Sequence, residues 1–237
     1  MSVLESLRGG LIVSVQAPRG SALDDPQVIA AMARAAVEAG AVGVRIESIA
    51  HLEAVRASLA ASASAASTSL DVPIIGLVKR EYAGFAPYIT PTLDEVREVA
   101  RTGVPIVAFD ATERPRPDGS TIAATIEEIH RAGALAMADC ATVTDGQGAR
   151  DTGADILATT LCGYTEETRG TPLPALSLVR DLTKVGGFVI CEGGIRTPES
   201  GRAARDAGAD AIVVGTAITG VGCLTHAFAD ALRRGHM

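Results

Sequence analysis

The chain has 237 residues, 47% of them hydrophobic, with 21 basic and 28 acidic side chains and a formal net charge of −7. That length suits one domain of the α/β-barrel size, roughly 200–250 residues, and an acidic balance without a basic cluster argues against a nucleic-acid-binding face. No apolar run approaches the ~20 residues of a membrane helix, the start MSVLESLRGG lacks the pattern of a secretion signal, and the four cysteines form no CxxC pair, which predicts reduced thiols in a cytoplasmic protein.

In chain order, Gly10–Val15 reads as a first buried strand with Gln16 just past it. Asp24-Asp25-Pro26 opens a helix that Gly40 ends. Ala41–Ile46 is the second strand, with Arg45 and Glu47 near its end, and a helix from Ala50 to Ala61 follows. Residues 62–69 are all Ala, Ser or Thr and predict a low-complexity surface loop. Pro73–Val78 is the third strand, with Lys79-Arg80 at its end, and Thr92 to Glu95 is a capping box for the next helix. Ile106–Phe109 ends in Asp110, Leu135–Ala138 ends in Asp139, and Ile156–Thr160 is the sixth strand. Ala175–Val185 is helical, Phe188–Cys191 is a strand ending in Glu192-Gly193-Gly194, and Thr197-Pro198 starts another helix. Ala211–Val214 is the last strand, closed by Gly215-Thr216, and a helix over Thr225–Arg234 ends the pattern.

The helices end in a recurrent punctuation, EAGA, RTGV, RAGA, DTGA, KVGG and DAGA, in which glycine suits the residue after a helix that feeds directly into a strand. The strands are continuous apolar runs, as for parallel strands covered on both faces. Eight such strand–helix units predict a single-domain (β/α)8 TIM barrel. The alternative, a doubly wound open sheet, lacks the GxGxxG fingerprint after its first strand.

A barrel puts its chemistry at the C-terminal ends of the strands. The polar residues that fall there are Gln16, Arg45, Lys79, Asp110, Asp139, Thr160 and Glu192. His51, His130, His226 and His236 fall on helices or the tail, which argues against a histidine base or a histidine-ligated metal. Gly193-Gly194 and Gly215-Thr216 follow neighbouring strands, where two glycine turns can turn backbone N–H groups to one phosphate. Lys79 admits three readings: a structural ion pair with Asp110 or Glu192, a Schiff-base amine, or an acid–base group whose charge burial disfavours. A lysine and a carboxylate flanking a carbon next to a carbonyl suit proton abstraction and return. With a phosphate anchor, that points to epimerisation or isomerisation of a sugar phosphate.

These residues carry a family resemblance over nearly the whole chain. Gly9–Ser14 with Gln16, Ala41–Glu47, Val72–Gly76 through Lys79-Arg80, Tyr88–Pro91, Asp110–Thr112 with Arg114 and Arg116, Met137–Cys140, Thr159–Leu161, Gly163–Thr165, Glu192-Gly193 and Val214–Thr219 together resemble the N-acetylmannosamine-6-phosphate 2-epimerases of sialic acid catabolism. The resemblance implies interconversion of N-acetylmannosamine 6-phosphate and N-acetylglucosamine 6-phosphate at C2 of the open-chain sugar, without metal or organic cofactor. It implies Lys79 as the proton-transferring residue and Glu192 as the second catalytic carboxylate. Gln16, Arg45, Asp139 and Thr160 would bind the sugar, and Gly193, Gly194, Gly215 and Thr216 the phosphate. It also points to a homodimer. Three departures stand out: Gly194 where many relatives carry arginine, Cys162 where they usually carry serine, and the Ala/Ser tract at 62–69, which looks like an insertion.

Overall fold

Eight parallel strands close into one barrel in sequence order in the computed structural model of the chain, which describes residues 1–65 and 72–234. The strands are β1 (Leu11–Val15), β2 (Gly43–Glu47), β3 (Ile74–Leu77), β4 (Ile106–Asp110), β5 (Leu135–Asp139), β6 (Ile156–Ala158), β7 (Phe188–Glu192) and β8 (Ala211–Val214). The open-sheet alternative is excluded because β8 pairs back onto β1, through Leu11–Ile212 to Val13–Val214.

Side chains alternate between two buried layers, as the period of a strand dictates. Ile12, Ile75, Leu77, Ile106, Ala108, Met137, Ile156, Ala158, Ile190 and Val213 fill the barrel. Val13, Val44, Val107, Leu157, Val189 and Val214 pack outward against the helices. Those helices are α2 (Pro26–Glu38), α3 (Ile49–Ala65), α4 (Leu93–Arg101), α5 (Ile122–Arg131), α6 (Val143–Asp151), α7 (Leu176–Val185) and α8 (Pro198–Asp206). Their caps are those the sequence announces: Asp25 and Pro26 for α2, the Thr92/Glu95 box for α4, and Thr197 with Pro198 for α8.

Four features depart from the sequence reading. A short helix precedes the first strand, α1 (Val3–Leu7), and its Leu7 is fully buried in the interior cluster at the N-terminal end of the barrel. Gly43 makes the room for it, since a Cβ there would stand 2.8 Å from Leu7 Cδ2. Helix α3 runs on to Ala65, so residues 62–65 of the Ala/Ser tract are helical rather than loop, in keeping with the high helix propensity of alanine; residues 66–69 lie outside the described residues. After β8 the chain forms a one-turn helix, α9 (Thr216–Thr219), where a plain glycine loop was expected. The last helix, α10 (Val221–Arg234), starts earlier than predicted and packs chiefly on α9. From Val221 to Arg233 every residue but Ala229 is exposed, including Phe228 at 73% and Leu232 at 74%.

Candidate active site

The inward register of the strands leads directly to the polar mouth. Continuing Ile12–Ser14, Gly43–Arg45, Ile75–Leu77, Ile106–Ala108, Leu135–Met137, Ile156–Ala158, Phe188–Ile190 and Ala211–Val213 by two residues gives Gln16, Glu47, Lys79, Asp110, Asp139, Thr160, Glu192 and Gly215. The barrel interior is therefore largely apolar below and largely polar in its top ring, with Ser14 and Arg45 in the layer beneath that ring. Six of the seven polar strand-end residues of the sequence reading belong to this ring, and the seventh, Arg45, lies one layer below Glu47 on β2.

At its floor lies a buried charge cluster. Arg45 is 1% exposed and makes a bidentate pair with Asp139, itself 0% exposed, at 3.1 and 2.6 Å. The same guanidinium lies 2.9 Å from Glu192 Oε2. Burial opposes the charge of Arg45, but Asp139 and Glu192 outweigh it and hold the guanidinium above its ordinary pKa. Thr160 Oγ sits 2.7 Å from Asp139 Oδ1 and 3.1 Å from Glu192 Oε2. One hydroxyl proton cannot serve both oxygens at once. The hydroxyl therefore donates to one carboxylate or the other. Burial, reinforced by Asp139, pushes the Glu192 pKa up, while Arg45, Thr160 and Lys79 hold it back.

Lys79 stands across from this cluster. It lies just beyond β3 and its Nζ donates to Gln16 Oε1 at 2.6 Å; Gln16 in turn donates to Ser14 Oγ at 2.9 Å. Among the described residues no carboxylate is within ion-pair distance of Lys79, so the ion pair with Asp110 or Glu192 is not formed. Burial lowers its pKa, helped by Arg45 and opposed by Glu47, Glu192 and Asp139. The result is an amine of weakened basicity facing a carboxyl of weakened acidity.

Asp110 is engaged otherwise. It accepts from Thr112 N at 3.0 Å, Thr112 Oγ at 2.6 Å and Arg114 at 2.8 Å, and so organises the loop after β4. Two half-buried residues of the mouth, Glu47 and Tyr88, were absent from the set assigned to the site. The period-two register reaches Glu47. Tyr88 comes from a loop, where no periodicity operates.

The glycine turns leave the barrel side by side, because Glu192 pairs with Val213 in register. Gly193 and Gly194 have φ of 105° and 70°, the left-handed region that favours glycine. A Cβ on Gly194 would lie 2.3 Å from Leu173 Cβ, so Leu173 fills the space a longer residue would need. Across from them Gly215 caps α9, and the N–H groups of Thr216 and Ala217 have no acceptor within that helix. Thr219 Oγ donates to Ser14 O at 3.0 Å and anchors α9 to β1.

Comparison with known proteins identifies the family and the fold. Residues 29–234 match the family described as "Putative N-acetylmannosamine-6-phosphate epimerase". A Synechococcus elongatus protein described as "Putative N-acetylmannosamine-6-phosphate 2-epimerase" is 44% identical over 232 residues, covering 97% of this chain and 96% of its own length. A Salmonella arizonae protein of the same description is 44% identical over 241 residues, covering 99% of each chain. Among solved structures, the N-acetylmannosamine-6-phosphate 2-epimerase from Clostridium perfringens superposes with a TM-score of 0.90 at 36% identity, over 98% of this chain and 96% of that one. A thiamine phosphate pyrophosphorylase from Pyrococcus furiosus, with a TM-score of 0.60 at 17% identity, shares the fold alone.

Proposed function

The chain belongs to the N-acetylmannosamine-6-phosphate 2-epimerase family, and from that premise we propose that it interconverts N-acetylmannosamine 6-phosphate and N-acetylglucosamine 6-phosphate by moving the proton on C2. The observation that carries this reading is the pairing of Lys79, its basicity lowered by burial, with Glu192, its acidity lowered by burial, across one barrel mouth. Burial moves the two proton affinities towards each other, which favours a reversible proton exchange at one carbon.

In the open-chain sugar, the C1 aldehyde acidifies C2. One of the pair takes the C2 proton, the C–H electrons form the C1–C2 double bond, and the aldehyde oxygen gains charge. Delivery of a proton to the opposite face of C2 by the other member gives the epimer. Gln16 holds the Lys79 ammonium in place. Arg45 and Asp139, closed to solvent, form the floor and bear on the sugar through Thr160 and Glu192, which are half-buried and open to it. Gly193, Gly194, Gly215 and Thr216 receive the 6-phosphate on their N–H groups, at the place where barrels often bind phosphate.

We also propose that the active species is a cytoplasmic homodimer. Cys140, Cys162, Cys191 and Cys223 are all free, in keeping with a reducing compartment. Val221, Leu224, Phe228 and Leu232 make an apolar stripe at helical spacing on α10 that the protomer leaves uncovered. On the barrel wall, Leu11 and Ile212 are adjacent in register and only partly buried, at the seat between β8 and β1. Two complementary apolar features on one chain suit a symmetric pair of copies.

The reaction is tested by incubating the protein with each epimer separately and resolving products by anion-exchange chromatography. Both incubations should converge on one ratio. A folded protein that leaves both epimers unchanged would overturn the assignment.

A further inference from the structure

The segment after β3 does not cross directly to α4. It doubles back, so that Lys79 bridges Ile89 in antiparallel fashion, Arg80 N donates to Tyr88 O at 2.9 Å and Thr90 N donates to Val78 O at 2.8 Å. On its other side, Asp110 N donates to Ile89 O at 2.9 Å and Thr90 Oγ to Ala108 O at 2.7 Å. The segment is a wedge between the ends of β3 and β4, whose direct pairing is limited to Ile75–Ile106 and Gly76–Val107. Thr90 takes a φ of 44° there, unusual for a β-branched residue, and these hydrogen bonds hold it.

The residue this wedge delivers to the mouth is Tyr88. It is half-buried and packs against the interior cluster of the barrel, to which Leu77, Ile89 and Met137 belong. The charges that act on its phenol are Asp139, Asp110, Arg45 and Arg114, so it is within reach of the charged groups of the mouth. No group among the described residues hydrogen-bonds its hydroxyl. Burial, with Asp139 and Asp110, raises its pKa, so the proton stays on and the group is a donor at neutral and mildly alkaline pH.

We propose that Tyr88 is a catalytic residue of the epimerisation, its O–H donating a hydrogen bond to the C1 oxygen as that oxygen gains charge. The proposal rests on the epimerase reading above. Lys79 bridges Ile89, the residue next to Tyr88, so one wedge carries both groups; in the proposed pose C2 lies at the Lys79 amine and the C1 oxygen at the phenol. The proton leaving C2 goes to the acid–base pair and the electron pair to the C1 oxygen. Tyr88 keeps its own proton throughout and stabilises the enolate as a neutral donor.

The test is steady-state kinetics of Tyr88→Phe with both epimers, with thermal unfolding measured alongside. Because nothing among the described residues hydrogen-bonds the hydroxyl, the variant should melt with the wild type. We expect kcat to fall about 10²-fold, the scale of one lost oxyanion donor, with KM within about threefold and C2–H exchange in D2O falling in step with kcat. An unchanged kcat, or a change confined to KM, overturns the proposal, since the hydroxyl would then be idle or touch a spectator group. Wild-type protein inert toward both epimers overturns the epimerase reading and this role with it.

Discussion

Of the residues in the mouth, Arg45 has the greatest structural consequence. It is the cation beneath two carboxylates, so Arg45→Met should leave Asp139 buried without a counter-ion and cost about 3–5 kcal/mol, read from denaturant unfolding. Glu192 behaves in the opposite sense. Its pKa is raised in the folded state, so its contribution to stability is complete at acidic pH and is lost as pH rises through that value. Glu192→Gln, a neutral isostere, should therefore melt at or above the wild type at pH 7 while epimerising about 10²–10⁴-fold more slowly, which leaves a measurable residual rate. The pH profile of kcat/KM should be bell-shaped, with an acid limb above the ordinary glutamate value and an alkaline limb below the ordinary lysine value. Glu192→Gln should remove the acid limb. Retention of that limb in the variant would assign it to another group.

Much of this site is legible in the sequence because strand ends can be read: Arg45, Lys79, Asp139 and Glu192 each follow an apolar run. What the sequence hides is depth. Nothing in the letters says that Arg45 and Asp139 lie beneath the floor while Glu192 and Lys79 open onto it, since that depends on barrel stagger. Tyr88 is hidden for another reason, because its place depends on a wedge made of backbone hydrogen bonds.

For the elements, glycine punctuation and apolar runs suffice to mark eight units, and capping residues mark their helix starts. The five-residue α1 and the one-turn α9 are too short for hydrophobic periodicity to register. The β7–α8 turn offers the sharpest test. Gly194 is at positive φ and pressed against Leu173, so Gly194→Ala has both backbone strain and a clash. It should lower stability by roughly 1–3 kcal/mol and raise KM for the sugar phosphate, because it displaces the N–H groups proposed to meet the phosphate. An unchanged KM in a variant that folds would remove this turn from the phosphate site.

As a whole, the molecule is a closed barrel with one helix standing off. Contacts within the protomer give α10 little reason to hold its apolar face in water. Light scattering should therefore report a dimer, and Phe228→Asp should shift it to monomer or lower its melting temperature with protein concentration; a monomeric wild type would refute the pairing. The central claim is chemical, however, and proton NMR in D2O tests it most directly. Wild type acting on N-acetylmannosamine 6-phosphate should yield the N-acetylglucosamine epimer with deuterium at C2, and Lys79→Ala should slow both product and deuterium by about 10²–10⁴-fold. Epimer formation at the wild-type rate by folded Lys79→Ala would contradict the account.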